Sequence, residues 1–196
     1  MSPPASIGIS SLVLALGAGA AVAQEPLKAG VVGNPRIGQT APDVTLPYFT
    51  ATGPGPADQP FRLSSELGHV VVLVFPGAPN EATRPDWDAL VASTDSVLGA
   101  GTVVVGILRS GAPATQTHAS ALAGSFKFLS DSGGRAYRRY GVDLGKRVTP
   151  WTVFVVGDDG RIVHRSSSFR PTDAAELRRV GDAIKRGHTA LARPGA

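Results

Sequence analysis

The residues able to do chemistry in this chain are few, and the most reactive type is absent. The 196 residues include no cysteine, which excludes disulfides, zinc–thiolate sites, iron–sulfur clusters and any thiol nucleophile. What stands at a strand-to-helix junction instead is Thr83-Arg84-Pro85, with Asp86 and Asp88 just behind. A Thr hydroxyl attacks only when a general base or its own terminal amine activates it. Thr83 is internal and has no His nearby in sequence, so the spacing favours a helix cap, with Pro85 in the first turn and the acids on the favourable end of the dipole. Arg84 is the candidate for contact with an anion or ligand, against the alternative of a solvated surface Arg. His69, His118, His164 and His188 are scattered without ligand spacing, so neither a metal site nor a cofactor is expected. Asp158 and Asp159 read as turn residues.

The elements that must position Thr83 and Arg84 start at Val70. Val70 to Val74 and Phe75 form a short apolar, mostly β-branched run closed by Pro76 and Gly77, which predicts a strand buried on both faces. A buried strand that breaks into a loop and then starts a helix brings loop amides and a helix dipole to one small volume. Downstream, Trp87, Leu90, Val91, Thr94 and Leu98 recur at helical spacing over 84–97. Residues 102–107 predict a second buried strand, 113–122 a weak helix, 126–129 a strand and 134–140 a short helix ended by Gly141. Residues 151–156 predict another strand, joined to an antiparallel return over 161–165 by the turn Gly157-Asp158-Asp159-Gly160. Asp173 with Glu176 predicts a capping box for a last helix striped by Leu177, Val180, Ile184 and Leu191. Upstream, 43–46 alternates like a short edge strand, 51–60 reads as a loop or wide hairpin that does not pack, 61–63 alternates again and 64–67 makes a turn. The order β-α-β-α-β-α-β-β-α predicts an α/β fold with a mixed central sheet and helices on both faces.

The N-terminus has its own logic. Residues 7–23 are apolar and uncharged and end in Ala21-Val22-Ala23 before Gln24, the small-x-small pattern of a cleaved export signal. No Lys or Arg precedes the block, and an uncleaved membrane anchor over 7–23 is the alternative. Residues 24–36 are then a linker, 37–188 one domain and 189–196 a tail. The protein is accordingly expected to be exported, periplasmic or secreted, with no stable membrane insertion after cleavage. Residues 134–196 carry 13 Lys/Arg against 6 Asp/Glu, and residues 1–133 carry 6 against 9. A basic half can attract nucleic acid, but aromatic residues do not interleave these charges as single-strand binders require, so no nucleic-acid partner is expected.

Several stretches resemble one family in chain order. Ile37 to Leu46, Phe61 to Leu67, Val70 to Pro76, Phe128-Leu129-Ser130-Asp131 with Tyr140-Gly141-Val142, and Phe154 to Ile162 together resemble the alkyl-hydroperoxide-reductase/thiol-specific-antioxidant (AhpC/TSA) family, the peroxiredoxins and related redoxins. The resemblance covers roughly residues 36–186. It implies a thioredoxin-like fold with peroxiredoxin-type N-terminal additions and, by family, antioxidant thiol peroxidase activity. The family pattern Pro-x-x-x-Thr-x-x-Cys, counted from Pro76, puts Asn80 at the Thr position and Thr83 at the peroxidatic Cys position. The family Arg falls on Trp151, which either plugs the vacated pocket or lines a hydrophobic one. Pro150 lies one residue before the place where thioredoxins carry a cis-proline. Peroxide cleavage needs a thiolate and a sulfenic acid cycle, which a Thr oxygen does not supply. The expectation is an exported redoxin-domain protein without catalytic cysteine that binds a protein or small ligand at the former active-site face. The alternative is an oxidoreductase with peroxide-reducing activity, as the family implies.

Overall fold

In a computed structural model of the chain, the described residues are 33–76, 83–99, 101–122, 124, 126–142 and 151–188. The apolar block 7–23, residues 24–32 of the expected linker, Asn80, Pro150, Leu191 and the expected tail lie outside them.

The Val70–Phe75 run forms the middle of the molecule because its alternate residues have two apolar faces to serve. Strand β5 (Val71–Phe75) sits fifth in a seven-stranded sheet of order β3-β2-β7-β6-β5-β8-β9. The other members are β2 (Tyr48–Thr50), β3 (Gly53–Pro54), β6 (Val103–Leu108), β7 (Lys127–Ser130), β8 (Trp151–Val156) and β9 (Ile162–Phe169). β5, β6 and β7 run parallel, and the remaining pairings are antiparallel. Val70, Val72 and Val74 enter the core on one face with Val104, Val153 and Val155. Val71, Leu73 and Phe75 enter the core on the other with Val105, Ile107 and Phe154. That is the period-two alternation of a strand covered on both sides. Each of these fully buried side chains contributes about 1.5–3 kcal/mol.

Helices cover both faces. α1 (Arg84–Ala92), α2 (Ala112–Ser120) and α4 (Ala174–Gly187) bring Leu90, Ala119 and Val180 to the first core. The short α3 (Arg135–Arg139) brings Ala136 and Tyr137 to the second, where a two-stranded ribbon of β1 (Thr45–Leu46) and β4 (Phe61–Arg62) adds Phe61. This is the expected mixed α/β architecture. No helix among the described residues is long and apolar enough to cross a membrane.

Several expectations need correction. The short edge strand read at 43–46 is present as β1, paired with β4 in a ribbon of their own rather than in the seven-stranded sheet. Residues 51–60 are a largely exposed hairpin connection, as one of the two readings had it, but part of it packs: Gly53–Pro54 pair with β2, and Gly55 lies so close on the Tyr48 ring that a Cβ would come within 2.2 Å of it. The helix from Arg84 ends at Ala92, and residues 94–98 continue as one wider π-type turn. β9 runs on to Phe169, four residues past the predicted end, because β8 supplies a ladder as far as Trp151. The capping box on α4 is half formed. Asp173 accepts the Ala175 and Glu176 amides at 2.8 and 3.4 Å, whereas the Glu176 carboxylate takes Ser166 Oγ and Arg179 instead.

Candidate functional site

Parallel strands in an open α/β sheet end on one edge, and the loops leaving that edge are where ligands are held. Here β5 ends at Phe75-Pro76, β6 at Leu108 and β7 at Ser130, and antiparallel β8 begins on the same edge with Trp151, since Phe75 pairs with Thr152. The edge is tied together by Tyr137, whose hydroxyl lies 3.0 Å from both the Pro76 and Ile107 carbonyl oxygens. Tyr137 is itself fixed by Asp131, whose carboxylate accepts the amides of Arg135, Ala136 and Tyr137 at 2.8, 2.9 and 3.2 Å. Burial, then the Asp131 charge, push the Tyr137 hydroxyl well above its ordinary pKa, so it acts only as a neutral donor.

The sequence-derived positions fall as follows. Pro76 ends the central strand. Thr83 occupies the N-cap position of α1, but its side chain does not make the expected capping bond to the helix amides, and its φ of −93° and ψ of −5° are already helical. A cap oxygen reaches the free amides from an extended backbone, which Thr83 does not have. Arg84 is half-exposed, with its Nε 2.9 Å from Asp88 Oδ1 one turn on. Asp86 accepts the Thr172 hydroxyl at 2.9 Å and links the start of α1 to the turn before α4. Asn80 lies outside the described residues.

Trp151 is buried and lies against Trp87, with ring centroids 4.5 Å apart and planes inclined by 53°. Trp87 in turn meets His118 edge-on at 5.1 Å and Phe128 at 5.2 Å. A strand glycine makes room for this stack: a Cβ on Gly106 of β6 would sit 2.8 Å from the Phe128 ring and 3.0 Å from Trp87. The buried Nε1 atoms of Trp87 and Trp151 and Nε2 of His118 have no hydrogen-bond partner. Burial, and then the Arg84 charge, lower the His118 pKa from 6.5, so the imidazole is neutral at neutral pH.

The sequence named Trp151 and placed Trp87 in the core, but it gave no sign that His118 joins them. The only local signal for the crossing was a lone Gly106 inside an apolar strand, a mark of close approach. The other histidines are elsewhere. His69 lines a shallow groove with Asp43 and Glu66, His164 is on β9 and His188 ends α4. Among the described residues, no group of three His, Asp or Glu side chains is arranged to hold a metal ion.

Comparison with known proteins agrees with the fold. The sequence pattern of the AhpC/TSA family matches residues 37–165. Peroxidoxin BcpB of Mycobacterium tuberculosis superposes with a TM-score of 0.63 at 23% identity, covering 78% of this chain and 98% of its own. The reduced 2-Cys peroxiredoxin of Plasmodium vivax gives 0.63 at 17% identity, covering 79% and 84%. Thioredoxin peroxidase I of Plasmodium yoelii gives 0.64 at 16%, covering 82% and 97%. At these identities the likeness carries the fold alone. No curated protein sequence matches the chain.

Proposed function

The chain belongs to the AhpC/TSA family, and we propose that within it this protein is an exported, non-catalytic redoxin-domain protein that binds a partner protein or small ligand at the former active-site face. The observation that carries this reading is chemical. The family's chemistry runs through a thiolate that attacks peroxide and passes through sulfenic acid, and this chain holds no cysteine at any position. A hydroxyl at Thr83 is not ionised near neutral pH, and its oxygen has no reversible oxidation cycle to replace that of sulfur.

The neighbouring substitutions support the same reading. Trp151, at the family Arg position, offers one indole N–H in place of a permanent cation, and its buried ring packs on Trp87 where a guanidinium would need solvent or a counter-charge. The apolar segment 7–23 with its small-x-small end supports export.

The family itself favours the competing reading, an oxidoreductase that reduces peroxide by another route. A peroxide-consumption assay with a thiol reductant separates the two. The expected rate equals that of the reductant alone; turnover above it would remove the non-catalytic reading. In the Thr83→Cys variant the new thiol, next to Arg84 at a helix start, is expected to titrate below the free value of about 8.5, as read by the pH dependence of alkylation.

A further inference from the structure

Charge is unevenly placed where the parallel strands end. Residues 101–142, which build β6, α2, β7 and α3, hold five Lys or Arg and a single acid, Asp131. That carboxylate is buried and taken up by the amides of Arg135, Ala136 and Tyr137. Of the five cations, Lys127 pairs with Glu66 and Arg139 donates to the Asp43 carbonyl. Arg109, Arg135 and Arg138 are exposed and have no acidic partner among the described residues. Two of these three are brought together. Arg109 directly follows β6, and Arg138 stands on α3 beyond the loop that leaves β7. The place a Cβ on Gly134 would take lies 3.3 Å from Arg109 Nε and 3.4 Å from Arg138 Nη1. Gly134 is buried with a φ of 63°, a left-handed conformation that favours glycine, so the ground between the two guanidiniums carries no side chain. Like charges facing one spot repel, and the carboxyl end of a parallel sheet is where open α/β folds hold ligands.

We propose that Arg109 and Arg138, with Arg135 next to Gly134 adding charge, bind a phosphate dianion at the ends of β6 and β7. The inference goes beyond the non-catalytic reading and does not depend on it, since neither Thr83 nor Trp151 takes part. A guanidinium is permanently charged and presents its N–H donors as a planar fork that matches phosphate or carboxylate oxygens two at a time. Two forks over one glycine call for an occupant with more than two acceptor oxygens and more than one negative charge. A monocarboxylate brings two oxygens and one charge, and leaves a cation unmatched. The same phosphate chemistry is offered by the free ion and by a phosphomonoester.

The test is a ¹H–¹⁵N titration of the intact protein at pH 8, with ionic strength held constant by sodium chloride. Inorganic phosphate is the probe, ribose 5-phosphate the monoester arm and acetate the monoanion control. The expected result is a saturable shift of the Gly133, Gly134 and Arg135 amides with phosphate, and none with acetate. Arg109→Gln and Arg138→Gln should each weaken binding at least about tenfold. Arg178→Gln removes the same charge from an exposed position on α4, which packs on the opposite face of the sheet from α3, and should leave affinity within about twofold because distant exposed charges are screened. The spectra also report whether each variant is folded, and if one of the two site variants is not, the other carries the test. Tighter binding of ribose 5-phosphate supports the site and assigns it to esterified phosphate; tighter binding of inorganic phosphate supports it and assigns it to the free ion. The proposal is overturned if the phosphate shifts do not saturate, if acetate matches phosphate, or if Arg178→Gln weakens binding as much as Arg109→Gln.

Discussion

Two aromatic clusters lie back to back on one sheet, and their polar atoms end differently. On one face Phe75, Tyr137, Tyr140 and Phe154 pack with centroids 4.9 to 5.9 Å apart, and both hydroxyls are bonded, Tyr140 to the Pro42 carbonyl at 2.7 Å. On the other, Trp87, Trp151, His118 and Phe128 pack at similar spacings, yet three ring nitrogens have no partner. The difference lies in what the polar ends do: one cluster uses them to hold the N-terminal segment and the strand ends together, and the other leaves them without partners beside the start of β8.

That contrast can be broken by measurement. The largest effect belongs to Trp87→Ala, which removes the ring touching every other member of its cluster and should cost about 3–5 kcal/mol in denaturant unfolding. Next comes Tyr140→Phe, which keeps the ring but leaves the Pro42 carbonyl without its donor; the expected loss is about 1–3 kcal/mol. His118→Phe is the matching test across the sheet. Here no bond is lost, so stability at pH 8 should change by no more than about 1 kcal/mol, and a loss as large as that of Tyr140→Phe would erase the contrast.

The same variant should alter the pH response. The folded-state pKa values of His118 and His164 are both lowered from 6.5, so below that value the unfolded chain binds protons that the folded chain resists. Stability is therefore full above pH 6.5 and declines as pH falls toward the lowered folded values. His118→Phe should shallow that decline between pH 7 and 5 while His164 keeps part of it. The smallest effect is that of Arg84→Ala, since its exposed pair with Asp88 is worth only about 0.3–0.5 kcal/mol.

The fold was readable where sequence carries a local pattern. The Val70–Phe75 run, the Trp151–Val156 strand with its turn, and the Asp173 cap all announce themselves within a few residues, and the structure has them at those places. What escaped is set by partners distant in sequence. The last residues of β9, Ser166 to Phe169, are polar enough to read as loop and become strand only because β8 lies beside them. At 51–60 the sequence left loop and hairpin open, and strand β2, which decides it, forms against β7 some eighty residues on. The same holds at the site. Thr83 and Trp151 were found by counting along a family pattern, whereas His118 meets Trp87 from a helix with little periodicity of its own, and only the fold brings them together.

The closeness of the two indoles has an optical consequence. Rings with centroids 4.5 Å apart do not absorb and emit independently: their transition dipoles couple, and excitation passes between them faster than either emits. Because the chain has no third tryptophan, its entire indole signal comes from this one edge of the sheet, as a paired circular-dichroism band from a single coupled chromophore. The protein thus carries a built-in reporter whose paired circular-dichroism band responds to the separation and inclination of Trp151 against Trp87.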